Sequence, residues 1–284
     1  MTTRPILPAG RRAAVTSLSR SAATGGRSSG CGPGKSGKPE PFTTPLVCDG
    51  WRDMAARTFI VVGGTSGLGL AVARLLVDEH RVVVLGDAAD EVAAATNDLG
   101  CAGLVCDVSS YDHVRRAFGE VVDRYGEIDG VAARASMWAG GDLADLSPER
   151  IRRTVEVNVL GTTFVLKEAL EHLRRQGYGT VVYIGAMAVT QPRPGIPVYR
   201  ATKSYGSSLV ESLAEAQHSN RIKVMQLHPG PMPTRLQERV GDEFLDEVYA
   251  LPDQVAAEVV RLLLLAPDDL YVSGERVLRA DGRW

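Results

Sequence analysis

The sequence carries no excess of positive charge. Its 32 lysines and arginines stand against 34 aspartates and glutamates in 284 residues, a formal net charge of −2, and the pI is near 6.2. Neutralising a row of phosphates needs a basic surplus, so nothing in this balance argues for nucleic acid or an anionic membrane as partner. Long hydrophobic runs are missing as well. The longest purely apolar stretch near the C-terminus is Leu262 to Ala266, far short of the roughly 20 residues that cross a bilayer. Cysteine is scarce: Cys31 and Cys48 lie in the N-terminal segment, and Cys101 and Cys106 flank an apolar stretch in neither a zinc spacing nor a disulfide framework. They read as reduced, buried thiols, and the expectation is a cytoplasmic protein acting on a small molecule, with no nucleic acid, membrane or metal.

The first residues also lack acid. Residues 1 to 39 hold five arginines, two lysines and no aspartate or glutamate, with serine, glycine and proline throughout. Such a segment buries too little apolar surface to order itself. The expectation for residues 1–54 is a disordered extension, or a reading frame opened upstream of a start at Met54, with an organelle transit peptide as the lesser reading. Residues 55–284 read as a single domain, and a hydrophobic content of 44% gives it a sizeable core.

From Thr58 onward, short β-branched runs alternate with longer amphipathic stretches, the pattern of parallel strands joined by crossover helices. Strands are expected at Thr58–Val62, Arg81–Leu85, Gly103–Cys106, Gly130–Ala133, Thr180–Ile184, Lys223–Leu227 and Tyr271–Val277. Helices are expected at Gly67–Glu79, Asp90–Leu99, Tyr111–Tyr125, Pro148–Gln176, Val198–His218 and Asp253–Leu265. The fold class is α/β: a doubly wound parallel sheet of about seven strands with helices on both faces.

Between the first strand and the first helix stands Gly63-Gly-Thr65-Ser66-Gly67-Leu68-Gly69. Glycines let the backbone turn tightly and approach a diphosphate, and the following helix N-terminus adds unpaired N–H groups and partial positive charge. Eighteen residues after Gly69, at the end of the second strand, comes Asp87. A carboxylate there accepts bonds from the adenosine ribose hydroxyls and repels a 2′-phosphate, so NAD(H) is favoured over NADP(H).

The GxxxGxG spacing resembles the turn of the short-chain dehydrogenase/reductase family, a Rossmann-like fold, and further motifs follow in the family's order. Cys106-Asp107-Val108 resembles the pair that holds adenine after the third strand, and Asn158 in Val157-Asn158-Val159-Leu-Gly161 resembles the Asn of a proton relay. Tyr199-Arg-Ala-Thr-Lys203 is similar to the YxxxK catalytic pair, and His228-Pro229-Gly230-Pro-Met-Pro-Thr234 to the turn that contacts nicotinamide. Ser273-Gly274 and Ala280-Asp-Gly282 resemble the family's close. The resemblance implies an NAD(P)-dependent oxidoreductase acting on a small alcohol or ketone, with Tyr199, Lys203 and Asn158 catalytic. Gly63, Thr65, Ser66, Gly67, Leu68, Gly69, Asp87, Asp107, Val108, Ala133, Tyr199, Lys203, Pro229, Gly230 and Thr234 are the residues it places at the cofactor. Four residues apart on a helix, Tyr199 and Lys203 share a face, and a cation beside the phenol is expected to lower its pKa. Relatives pair through the two long helices, so a homodimer or homotetramer is expected.

Two positions depart from the pattern. Thirteen residues before Tyr199, where the family has a serine that bonds the substrate oxygen, stands Ala186. Thr190 and Ser136 are the candidates to replace that hydroxyl. Where the family has NNAG, this chain has Ala133-Arg134-Ala135-Ser136, and Arg134 reads first as a side chain reaching solvent or a neighbouring acid, second as an anion contact. Gln191 to Pro197, with three prolines, is expected to wall the substrate cleft, and Arg235 to Tyr249 to form a lid. Non-redox acid–base chemistry on the same fold, and a weakly active NAD(H)-binding protein, stay open as alternatives.

Overall fold

In the computed structural model the apolar runs form seven strands: β1 (Thr58–Val62), β2 (Arg81–Gly86), β3 (Ala102–Val105), β4 (Gly130–Ala133), β5 (Tyr178–Ile184), β6 (Arg221–Pro229) and β7 (Glu275–Leu278). The structure describes residues 56–190, 192, 194–217, 221–230, 232, 251–265 and 275–278. The N-terminal segment 1–54, Thr234, Arg193 and the expected lid from Arg235 lie outside these residues. Every strand pair is parallel, in the order β3-β2-β1-β4-β5-β6-β7.

Successive side chains of a strand point to opposite faces, so an apolar strand feeds two cores at once. Ile60 and Val62 of β1, with Val83 and Leu85 of β2, pack beneath α3 (Tyr111–Tyr125), α5 (Thr162–Gln176) and α6 (Pro197–Gln217) around Phe118, Leu166 and Val210. Phe59, Val61, Val82 and Val84 pack the other way, against Leu68, Val72 and Leu76 of α1 (Gly67–Leu76) and Val259 and Leu263 of α7 (Pro252–Leu263). The outer layer is completed by α2 (Ala89–Leu99) and α4 (Pro148–Val155). Among the described residues no helix is long and apolar enough to cross a membrane.

Sequence periodicity suggests one helix over Pro148–Gln176. The structure divides it: α4 and α5 are separated by a π-helical turn over Glu156–Gly161. The wider turn coincides with two tertiary demands. Asn158 is drawn into bonds with other segments, described below. A Cβ on Gly161 would stand 2.7 Å from the Val108 methyl, so the turn presses directly on the end of β3. A π turn inside a helix frequently marks a functional site.

β1 lies between β2 and β4, and the chain leaves the centre of the sheet in opposite directions on its two sides. At that switch the carboxyl ends of the strands open a crevice, the usual ligand position in a sheet of this kind.

Candidate active site

β1 runs out into Gly63, whose φ of +67° is cheap for glycine alone. The N–H groups of Gly63 and Gly64 both donate to the Leu85 carbonyl, at 2.8 and 3.2 Å, tying the turn to β2. A Cβ on Gly69 would overlap the Gly63 carbonyl oxygen, so the first turn of α1 sits against the strand's exit with no room for a side chain. Ser66 enters α1 in extended backbone and makes no capping bond, which leaves first-turn N–H groups of α1 uncapped at the cleft. Leu68 is fully buried in the core and offers the cleft only its backbone.

At one end the cleft is lined by Asp87, Glu91, Asp107 and Arg153. Asp87 is exposed on the rim. Glu91, in the first turn of α2, accepts a bond from the Thr65 hydroxyl at 3.2 Å and sets a second carboxylate beside the first. Asp107 accepts from the Ser109 N–H at 3.0 Å and hydroxyl at 2.7 Å, and from Arg153 at 3.1 Å. Burial raises its pKa, but these bonds outweigh burial and hold it below the usual range. Val108 is buried beneath the π turn.

The other end is lined by Arg134, Ser136 and Met137, and the Arg134 charge and Ser136 hydroxyl act on Tyr199 of α6, which with Lys203 on the same helix is buried, 6% and 2% exposed. The Trp138 ring packs on Tyr199 with centroids 4.7 Å apart, and the Lys203 ammonium lies 5.8 Å from the Tyr199 ring and 5.7 Å from that of Tyr183. Burial, then repulsion from Arg134, brings Lys203 down to about 7. Burial also pushes the Tyr199 phenol up, countered in part by the Ser136 hydroxyl and the Arg134 charge. A cation that acts on the phenol in this structure is Arg134.

Arg134 is half-buried and pairs with no acid among the described residues. Its Nη1 lies 3.9 Å from the place of a Cβ on Gly63, it lines the cleft, and burial lowers its pKa. A desolvated guanidinium with no acid partner is costly unless an anion completes it.

Asn158 Oδ1 accepts from the Met137 N–H at 2.6 Å, and Nδ2 donates to the Met137 carbonyl at 2.9 Å and to Thr202 Oγ1 at 3.0 Å. Both amide hydrogens are thus spent clamping the loop between Ser136 and Trp138 to the helical turn between Tyr199 and Lys203. Ala186 ends β5 with its N–H on His228 Nδ1 at 3.2 Å. Thr190 is exposed and donates to the Met187 carbonyl at 2.9 Å. The Ser136 hydroxyl is shielded from solvent without a hydrogen-bond partner among the described residues, and it favours the ionised form of the Tyr199 phenol. Ala133 and Pro229 are buried and Gly230 half-buried at the strand ends. Cys101 and Cys106 are pushed by burial to about 11 and about 12, so neither is a thiolate nucleophile at neutral pH.

The sequence reading passed over Glu91, Arg153 and Trp138. Glu91 had a signal, being an acid in the first turn of the helix that starts just after Asp87. Arg153 and Trp138 had none, because only the tertiary fold brings their segments to the cleft.

The chain belongs to the short-chain dehydrogenase family, whose model matches residues 57–244. It is 29% identical over 229 residues to carbonyl reductase family member 4 of Xenopus laevis, covering 78% of this chain and 95% of that protein. It is 28% identical over 236 residues to the 3-oxoacyl-[acyl-carrier-protein] reductase MabA of Mycobacterium tuberculosis, covering 80% and 92%. A variant of actinorhodin polyketide ketoreductase solved with NADPH matches at a TM-score of 0.72 and 26% identity, over 78% of this chain and 95% of that one. Carbonyl and ketoacyl reductases are among its relatives, and the chain is an enzyme of the short-chain dehydrogenase family.

Proposed function

We propose that the chain is an oxidoreductase that binds NAD(H) in preference to NADP(H) and exchanges hydride with a small alcohol or ketone, with Tyr199 as acid and base. The observation that carries this is the buried Tyr199–Lys203 pair on one face of α6, with Tyr199 under the influence of Arg134 and Ser136, two residues that line a cleft floored by a glycine turn. The residues present suit a dinucleotide. The turn from Gly63 through Thr65, Ser66, Gly67 and Leu68 to Gly69 offers backbone N–H groups to a diphosphate, and Arg134 is a cation with no acid partner among the described residues. Asp87 and Glu91 suit ribose hydroxyls and oppose a 2′-phosphate. Asp107 and Val108 would hold adenine; Ala133, Lys203, Pro229, Gly230 and Thr234 the nicotinamide half. A nicotinamide held there supplies or accepts the hydride. In reduction Tyr199 gives its phenolic proton to the carbonyl oxygen. Burial keeps that phenol protonated, which suits an acid. Exposed Val155, Leu160 and Tyr205 support pairing of copies through their helices.

The test is a fluorescence titration with NADH and NADPH, followed by a screen of carbonyls and alcohols with wild type and Tyr199→Phe. We expect NADH to bind more tightly, and Tyr199→Phe to lower turnover by about 100-fold or more with the NADH Kd within about twofold. Tight NADH binding without Tyr199-dependent turnover overturns the oxidoreductase reading in favour of a binding protein, a reading that Ala186 favours. For cofactor choice, Asp87→Ala is expected to improve NADPH binding by about tenfold, roughly 1.4 kcal/mol, and Asp87→Ala with Glu91→Ala by more. Unchanged preference in the double variant would mean that neither acid sets it.

A further inference from the structure

We propose that Ser136 is the hydroxyl donor to the substrate oxygen in this chain, doing from the end of β4 what the absent serine at position 186 would do from the end of β5. The assignment rests on the reductase reading above and names a catalytic residue within it. Ser136 lines the cleft, and its Oγ is shielded from solvent with no hydrogen-bond partner among the described residues. A buried hydroxyl left unpaired is unfavourable, so its placement makes physical sense when a ligand atom completes it. The Ser136 hydroxyl acts on the Tyr199 phenol, favouring its ionised form.

The hydroxyl is also held in place. Asn158 grips both the N–H and the carbonyl of Met137, at 2.6 and 2.9 Å, and Trp138 packs on Tyr199 at 4.7 Å. Ser136 is therefore fixed between β4 and a residue clamped to the catalytic helix. Thr190, the other hydroxyl considered, is exposed and already donates to Met187. A carbonyl oxygen has two lone pairs, one for each of two donors. During reduction the hydride of a reduced nicotinamide forms the new C–H bond, the Tyr199 O–H breaks to form the product O–H, and solvent returns a proton to the phenolate. Ser136 keeps its proton and stabilises the negative charge that develops on oxygen. The two departures from the family pattern, Ala186 and Ser136, are on this view one relocation of a hydroxyl.

The experiment is steady-state kinetics of the full chain with NADH and a ketone from the carbonyl screen, alongside NADH Kd by fluorescence. Ser136→Ala should lose about 100-fold in kcat/KM with the NADH Kd within about twofold, and Ser136→Thr should retain most activity. Adding Ala186→Ser to Ser136→Ala should restore at least about tenfold, which also shows that the chain is folded. Wild-type kcat/KM in Ser136→Ala, in an enzyme whose turnover needs Tyr199, overturns the assignment while leaving the reductase reading intact. So does a loss in NADH affinity as large as the loss in kcat/KM. Absence of Tyr199-dependent turnover in wild type overturns both.

Discussion

Gly69→Val is expected to raise the NADH Kd on the order of 1000-fold, about 4 kcal/mol, with far-UV circular dichroism unchanged. Any Cβ at this position collides with the Gly63 carbonyl oxygen, and backbone cannot yield as a flexible side chain can. Relief requires α1 to move off the end of β1, and that movement takes its first-turn N–H groups out of line with the diphosphate they would bind. The rest of α1 is anchored by Leu68, Val72 and Leu76 in the core, so damage should stay local. Gly119→Ala serves as the control: a Cβ there meets nothing within 4 Å, and replacing glycine inside a helix by alanine stabilises by roughly 0.5–1 kcal/mol. Fluorescence titration of both variants checks the pair. NADH binding by Gly69→Val within tenfold of wild type would place the diphosphate elsewhere.

Lys203→Met is expected to move activity and stability in opposite directions. Turnover should fall on the order of 1000-fold, since the nicotinamide half that Lys203 would hold is no longer positioned for hydride transfer. The cofactor-free chain should nevertheless melt higher, by roughly 5–8 °C at pH 6, if replacing the buried ammonium recovers about 2–3 kcal/mol. The pH dependence fixes the sign. Lys203 titrates near about 7 in the fold against an ordinary 10.5. Below about 7 both folded and unfolded chains hold the proton, and the fold bears the full cost of a buried charge. Between about 7 and 10.5 the unfolded chain binds a proton that the fold does not, so wild-type stability rises with pH across that window. The gap in Tm between Lys203→Met and wild type should therefore be widest at pH 6 and narrow toward pH 10. A gap independent of pH would mean that Lys203 keeps its charge when folded. Such a trade, stability given up for a group the site needs, is common where function demands a desolvated charge.

Local patterns carry the fold far in this chain. β-Branched runs punctuated by turns give the strands, and seven of the expected elements differ from the structure by no more than two residues at either end, such as Ala102–Val105 for Gly103–Cys106. The helix over Pro148–Gln176 is different in kind. Its interruption at Glu156–Gly161 accompanies bonds from Asn158 to residues 21 and 44 positions away, and helical periodicity registers only neighbours three or four apart. Within the site, the glycine turn, Asp87 and the Tyr199–Lys203 spacing were legible for the reason that each acts through a short stretch of chain. Arg134 was not: its long side chain has solvent and cleft equally within reach in sequence terms, and only the packed structure shows which one it takes.

By itself the sequence determined the βα alternation, the glycine turn at Gly63 to Gly69, the pairing of Tyr199 with Lys203 on one helical face, and the absence of the usual hydroxyl at Ala186, all of them properties of composition, spacing or period. Only the tertiary structure decided that Arg134 lies half-buried against the turn, that burial of Lys203 and then the Arg134 charge bring Lys203 to about 7, that Asn158 clamps Met137 to Thr202, and that the Ser136 hydroxyl is shielded in the cleft lining while Thr190 is exposed. These depend on desolvation and on distances between segments far apart in the chain. Both arise when the sheet and its helices close over the cleft.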